Sequence, residues 1–100
     1  MSFHHIPVFL EQAVEALRVR EGGVYVDCTA GGGGHSRAIL EQLGSGRLVS
    51  IDRDPQAVSH LEALFADNAR VQVVLGNFKN IKAILGGLGI PGADGILADL

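Results

Sequence analysis

Apolar residues recur along this chain with two alternating periods. Leu10, Ala13, Val14 and Leu17 stand at i, i+3, i+4 and i+7, the stripe of a helix, while Glu11, Gln12, Glu15 and Arg18 fall on the other side. Pro7 suits the first helical turn, where its missing N–H costs nothing. Residues Met1 to Ile6 are therefore expected to form a short arm, and Glu21-Gly22-Gly23 to close the helix. Val24-Tyr25-Val26 predicts a buried strand feeding Asp27-Cys28-Thr29-Ala30 and the run Gly31 to Gly34. Helical spacing returns from His35 to Leu43, with Ile39, Leu40 and Leu43 inward and Gly44 as a left-handed stop. Arg47 to Ile51 predicts a second strand ending at Asp52. Asp54 then caps a helix that begins with Pro55 and turns Val58, Leu61 and Phe65 inward. Val71 to Leu75 predicts a third strand stopped by Gly76. Ile81, Ile84, Leu85 and Leu88 mark a third helix, and Gly95 to Leu100 a fourth strand.

Strands separated by helical segments cannot form hairpins. They imply right-handed crossovers and a parallel sheet covered on both faces, a doubly wound α/β class. No repeat, low-complexity tract or linker divides the 100 residues, so one domain is expected. The final apolar strand has nothing after it to cover its edge, and we expect the chain to be the N-terminal part of a longer protein.

Composition narrows the function classes. A hydrophobic content of 47% excludes a disordered chain. Eight Lys and Arg against eleven Asp and Glu leave a net charge of −3, the wrong sign for a surface that neutralises phosphates, so any nucleic-acid docking surface is expected largely elsewhere. The single cysteine, Cys28, is read as a small buried filler in a reducing, cytoplasmic setting. No apolar run reaches the ~18 residues needed to cross a bilayer. His4, His5, His35 and His60 show no metal-ligand spacing, and no metal site is expected.

Four consecutive glycines between a strand and a helix let backbone approach a ligand closely, and the following helix start offers N–H groups and a partial positive charge. Phosphate and carboxylate satisfy such a turn equally. A P-loop needs Gly-Lys-Ser/Thr where this chain has Gly34-His35-Ser36, and a dinucleotide fingerprint needs glycine where Ser36 stands. An acid closing strand one (Asp27), a glycine loop, and an acid closing strand two (Asp52) match instead the arrangement of S-adenosylmethionine-dependent methyltransferases. Asp52 lies 21 residues after Gly31, where a carboxylate can accept both ribose hydroxyls of an adenosine group. Asp54, beside Pro55, is the better helix cap, which leaves Asp52 for ligand. Phe78 follows strand three at the same edge and is either a stacking partner for adenine or an ordinary core residue. Asp99 ends strand four, beside the crevice where strand order reverses.

Together the segments resemble one family. His5-Ile6-Pro7-Val8-Phe9-Leu10, Tyr25 to Ser36, Ile51-Asp52-Arg53-Asp54-Pro55, Gly76-Asn77-Phe78 and Asp94 to Leu100 follow in order the motifs of the bacterial small-subunit (16S) ribosomal-RNA cytosine-N4 methyltransferases. Cys28 and Ala98 stand where many relatives carry glycine and leucine. The resemblance implies a Rossmann-like class I methyltransferase core with S-adenosylmethionine as cofactor. It implies methyl transfer to the N4 amine of a cytidine in 16S rRNA. Gly33, Gly34 and His35 would line the methionine part of the cofactor, Asp52 the ribose and Phe78 the adenine, with Asp99 completing the pocket. The family's next motif residues and its substrate domain fall after position 100, so the resemblance covers the cofactor half, and RNA contacts are expected largely outside this chain. No catalytic base is assigned. The alternatives are a nicotinamide-dependent oxidoreductase, against which Asp27 and Ser36 argue, and an inactive, truncated cofactor-binding module.

Overall fold

The computed structural model describes residue 15 and residues 17–28 and 33–98. Its elements, in chain order, are β1 (Val24–Cys28), α1 (Gly34–Leu43), β2 (Arg47–Asp52), α2 (Pro55–Leu64), β3 (Val71–Leu75), a 3-10 turn (Phe78–Asn80), α3 (Ile81–Gly87) and β4 (Gly95–Ala98). The strands form one parallel sheet in the order β3-β2-β1-β4. The doubly wound α/β reading is borne out. The chain winds outward from β1 to β3, then returns to place β4 on the other side of β1. That reversal puts the crevice of such sheets at the carboxyl ends of β1 and β4.

Period-2 alternation along the strands sorts the core into two layers. Tyr25 pairs in register with Leu48 and packs with Ile39 and Leu43 of α1, all four fully buried, and Leu17, Val19 and Val71 close this layer. Val26 and Val49 face the other way, with Ile51, Leu85 of α3 and Ile90. Both sheet faces are thus covered, which is why β1 and β2 read as nearly continuous apolar runs.

Several boundaries differ from expectation. The first helix lies mostly outside the described residues, but Glu15 and Leu17 are helical, with Glu15 exposed and Leu17 half-buried as its stripe requires. The chain turns at Arg18, where φ is +52° and the Arg18 N–H bonds the Glu15 carbonyl, before the Glu21-Gly22-Gly23 stop. β1 runs on through Asp27, which pairs with Ser50 on one side and Leu97 on the other, and through Cys28, which pairs with Ala98 of β4. α1 starts one residue early, at Gly34, and ends at Gly44 with φ +61°. α3 spans only seven residues, and the preceding 3-10 turn supplies the rest of the crossover. α2 is as expected, with the Asp54 carboxylate accepting the Gln56 N–H at 2.9 Å and Pro55 in the first turn.

At the opposite edge of the sheet, Asp94 ties the entry to β4 to the start of β1. Its carboxylate accepts the Val24 N–H at 2.8 Å and an Arg20 guanidinium N–H at 2.6 Å, and its own N–H bonds the Val24 carbonyl at 2.7 Å. The Val24 bond first, then Arg20, holds the Asp94 carboxyl below the usual carboxylate range. A depressed folded-state pKa stabilises above the unfolded value of about 3.9 and is lost as pH falls through the folded one. Asp94→Asn is therefore expected to melt lower than the wild type at pH 7, with the gap closing below about pH 4; a gap independent of pH in thermal melts would contradict this role.

Candidate functional site

α1 begins over the carboxyl end of β1, and Gly33 makes that start possible. Its φ of +88° is the left-handed region that side chains disfavour, and a Cβ there would stand 2.8 Å from Leu64 Cδ2 and 3.0 Å from Leu61 Cδ2 of α2. The Gly33 carbonyl accepts the Arg37 N–H at 2.8 Å, closing the first turn. Gly33, the N-cap residue, has no side chain to cap α1, and the first turn holds no acidic residue. The start of a helix carries a partial positive charge. Gly34 is exposed and His35 half-buried in this turn, so the structure brings Gly33, Gly34 and His35 together as expected. Gly31 and Gly32 lie outside the described residues, and so does Asp99.

Beneath the turn lies a buried polar trio. Ser36 Oγ donates to Asp27 Oδ2 at 2.6 Å and shares a second hydrogen bond with Ser50 Oγ. Asp27 is 4% exposed and each serine 1%. In the sequence Asp27 stands out as a motif acid and Ser36 as the end of the glycine motif and a departure from the dinucleotide glycine. Ser50 carries a weaker signal: it is the one polar side chain inside Leu48-Val49-Ser50-Ile51, a position needing a partner.

Asp52 stands at the carboxyl tip of β2, one strand away. Its Oδ1 accepts the Asp54 N–H at 2.9 Å, so the carboxylate is less free than expected, but Asp54 takes the helix cap as anticipated. Asp52 Oδ2 is buried and has no hydrogen-bond partner among the described residues. A buried acceptor without a donor costs about 1–3 kcal/mol, more when charged, so this oxygen marks where a donor is missing. A ribose hydroxyl is such a donor.

Apolar surface flanks that oxygen. Leu75 of β3 pairs in register with Asp52 and is 55% exposed, and Phe78, three residues on, is 36% exposed. Phe78 is therefore not an ordinary core residue. Leu75 was missed because the strand pattern counts it with the core; its place at a strand tip beyond α2's cover is what exposes it. Cys28 is half-buried in the β1 ladder rather than fully buried, and burial, then the Asp27 charge, pushes its thiol up to about 11. His60 is exposed on α2.

The solved structures similar to this chain define its class. Fibrillarin from Aeropyrum pernix, solved with natively bound S-adenosyl-L-methionine, matches with a TM-score of 0.67 and 18% identity over 89% of this chain and 40% of its own. A methyltransferase from Geobacter sulfurreducens matches with a TM-score of 0.59 and 26% identity over 74% of this chain and 39% of its own. The fold is thus the Rossmann-like methyltransferase α/β core. Within it, the chain belongs to the MraW methylase family, whose model matches residues 2–100. Relatives named ribosomal RNA small subunit methyltransferase H are 55% identical in Neisseria meningitidis and 47% in Brevibacillus brevis, over 99% and 100% of this chain. The chain spans 30% and 32% of the length of those two relatives.

Gly33→Ala tests the turn. The left-handed penalty of about 1–2 kcal/mol and an overpacking cost of about 1–3 kcal/mol against Leu61 and Leu64 add to an expected loss of roughly 2–5 kcal/mol in urea unfolding. A loss within about 0.5 kcal/mol would show that the turn tolerates a side chain.

Proposed function

We propose that this chain is the cofactor-binding part of an enzyme that transfers a methyl group from S-adenosyl-L-methionine to the N4 amine of a cytidine in 16S rRNA. The family, the relatives named for the small-subunit ribosomal RNA, and the neighbour solved with bound S-adenosyl-L-methionine all support this reading. The single observation that carries it is the buried, unpartnered Asp52 Oδ2 at the tip of β2.

The residues fit the group. Asp52 Oδ2 accepts a ribose hydroxyl, the donor it lacks. The uncapped start of α1 at Gly33, Gly34 and His35 takes the carboxylate of the amino-acid tail, and the exposed faces of Leu75 and Phe78 receive the adenine. Asp99, following β4, completes the pocket. The bound cofactor supplies an electrophilic methyl group on a positively charged sulfur. The cytosine amine is a poor nucleophile, its lone pair delocalised into the ring, so the remaining task is alignment of that amine with the methyl group.

RNA is held largely by regions beyond this chain, in keeping with its net charge of −3. The 100 residues alone are expected to transfer no methyl groups. The reaction belongs to the cytoplasm, where ribosomal subunits are made. Among the described residues no helix is long and apolar enough to cross a membrane.

Calorimetric titration of S-adenosyl-L-methionine into the wild type and an Asp52→Ala variant tests the reading. Loss of a charge-assisted bond of about 1.5–3 kcal/mol weakens binding by at least about tenfold. Equal affinity in the two proteins would remove the cofactor assignment.

A further inference from the structure

Asp27, Ser36 and Ser50 make a polar chain that the proposed cofactor contacts do not use. A serine hydroxyl carries one hydrogen. With that of Ser36 committed to Asp27 Oδ2, the hydrogen between the two serines comes from Ser50, so the chain runs Ser50 to Ser36 to Asp27. Three elements meet in it: Asp27 on β1, Ser36 in the first turn of α1, and Ser50 on β2.

Stability alone does not call for these groups. Alanine or glycine in the helix and valine in the strand would fill a site this buried without desolvating a carboxylate and two hydroxyls. Dinucleotide-binding folds place glycine at the position of Ser36 for close packing of helix on strand. What a hydrogen-bonded chain adds over packing is direction, because apolar contacts let a helix slide where a short charge-assisted bond does not.

Its endpoints lie where direction matters. Ser36 follows Gly33-Gly34-His35 directly, and Ser50 precedes Asp52 by two residues, on the same face of β2. We infer that Ser36, held between Asp27 and Ser50, is a positioning residue that sets the glycine turn at a fixed distance from Asp52, so that one ligand can reach both. This rests on the cofactor reading above and adds to it how the two ends of the site are kept in register.

Two ligands separate the ends. S-adenosylhomocysteine carries the nucleoside and the amino-acid tail, and methylthioadenosine the nucleoside with no tail. In calorimetric titrations Ser36→Ala is expected to weaken S-adenosylhomocysteine about tenfold and leave methylthioadenosine within about twofold. Ser50→Ala, which keeps the bond from Ser36 to Asp27, is expected to shift the same ligand in the same direction by about threefold. It carries the test if Ser36→Ala does not fold. A purely structural role would lower the melting temperature and weaken both ligands alike, and that result, or unchanged affinity for both, overturns the inference. If Asp52→Ala loses both ligands while the serine variants lose neither, only this inference falls. A wild type that binds neither ligand overturns the cofactor reading and this inference with it.

Discussion

A parallel strand followed by a helix delivers two things to one edge of a sheet: the strand's carboxyl end and the helix's positive start. The rest of this structure depends on how tightly that junction is made between β1 and α1. Gly33 makes it tight, with a backbone angle that a side chain resists and a position against Leu61 and Leu64 that a Cβ would invade. With β2 and β4 on either side of β1, the turn sits at the strand reversal, and Asp52 is one strand away. The turn alone is indifferent to which anion it meets. In the proposed cofactor reading, the acid beside it selects a ligand with hydroxyls at one end and a negative group at the other.

The same edge is where the fold gives up stability. Among the described residues Asp52 Oδ2 is buried without a donor, Leu75 at the tip of β3 and Phe78 in the following 3-10 turn expose apolar surface, and the N-cap Gly33 has no side chain to cap α1. At the opposite edge, polar groups are satisfied locally: Asp94 engages Val24 and Arg20, and the Arg20 N–H bonds the Tyr25 hydroxyl at 2.8 Å. The contrast is that of an edge whose polar groups are met locally and one that, in the proposed reading, meets a ligand. It follows from the parallel sheet, which places all its strand-to-helix turns on one side.

Most of the fold was legible because strand and helix periods alternate cleanly. Asp54-Pro55 and Val71 to Leu75 were read to the residue, since capping chemistry and a β-branched run are local signals. The left-handed turn at Arg18 was not, because only tertiary packing of Leu17 and Val19 against the sheet justifies it. Ser36 and Ser50 were missed as partners because they are 14 residues apart and meet only when β1, α1 and β2 are assembled. The division of work between Asp52 and Asp54 was legible, yet the Oδ1 bond to the Asp54 N–H was not, since it depends on the turn after β2. The family motifs marked Gly33, Gly34, His35, Asp52 and Phe78, and the structure gathers these at the carboxyl edge. Leu75 enters only through the strand register.

In the proposed reading Asp52 Oδ2, which has no partner among the described residues, accepts a ribose hydroxyl. A crystal structure with bound S-adenosylhomocysteine tests it most directly. A sugar hydroxyl is expected on Asp52 Oδ2 at about 2.5–2.7 Å, the length of a charge-assisted O–H···O bond. The tail carboxylate is expected at the turn formed by Gly33 and Gly34. A nucleoside bound elsewhere, with Asp52 Oδ2 still lacking a donor, would contradict the reading.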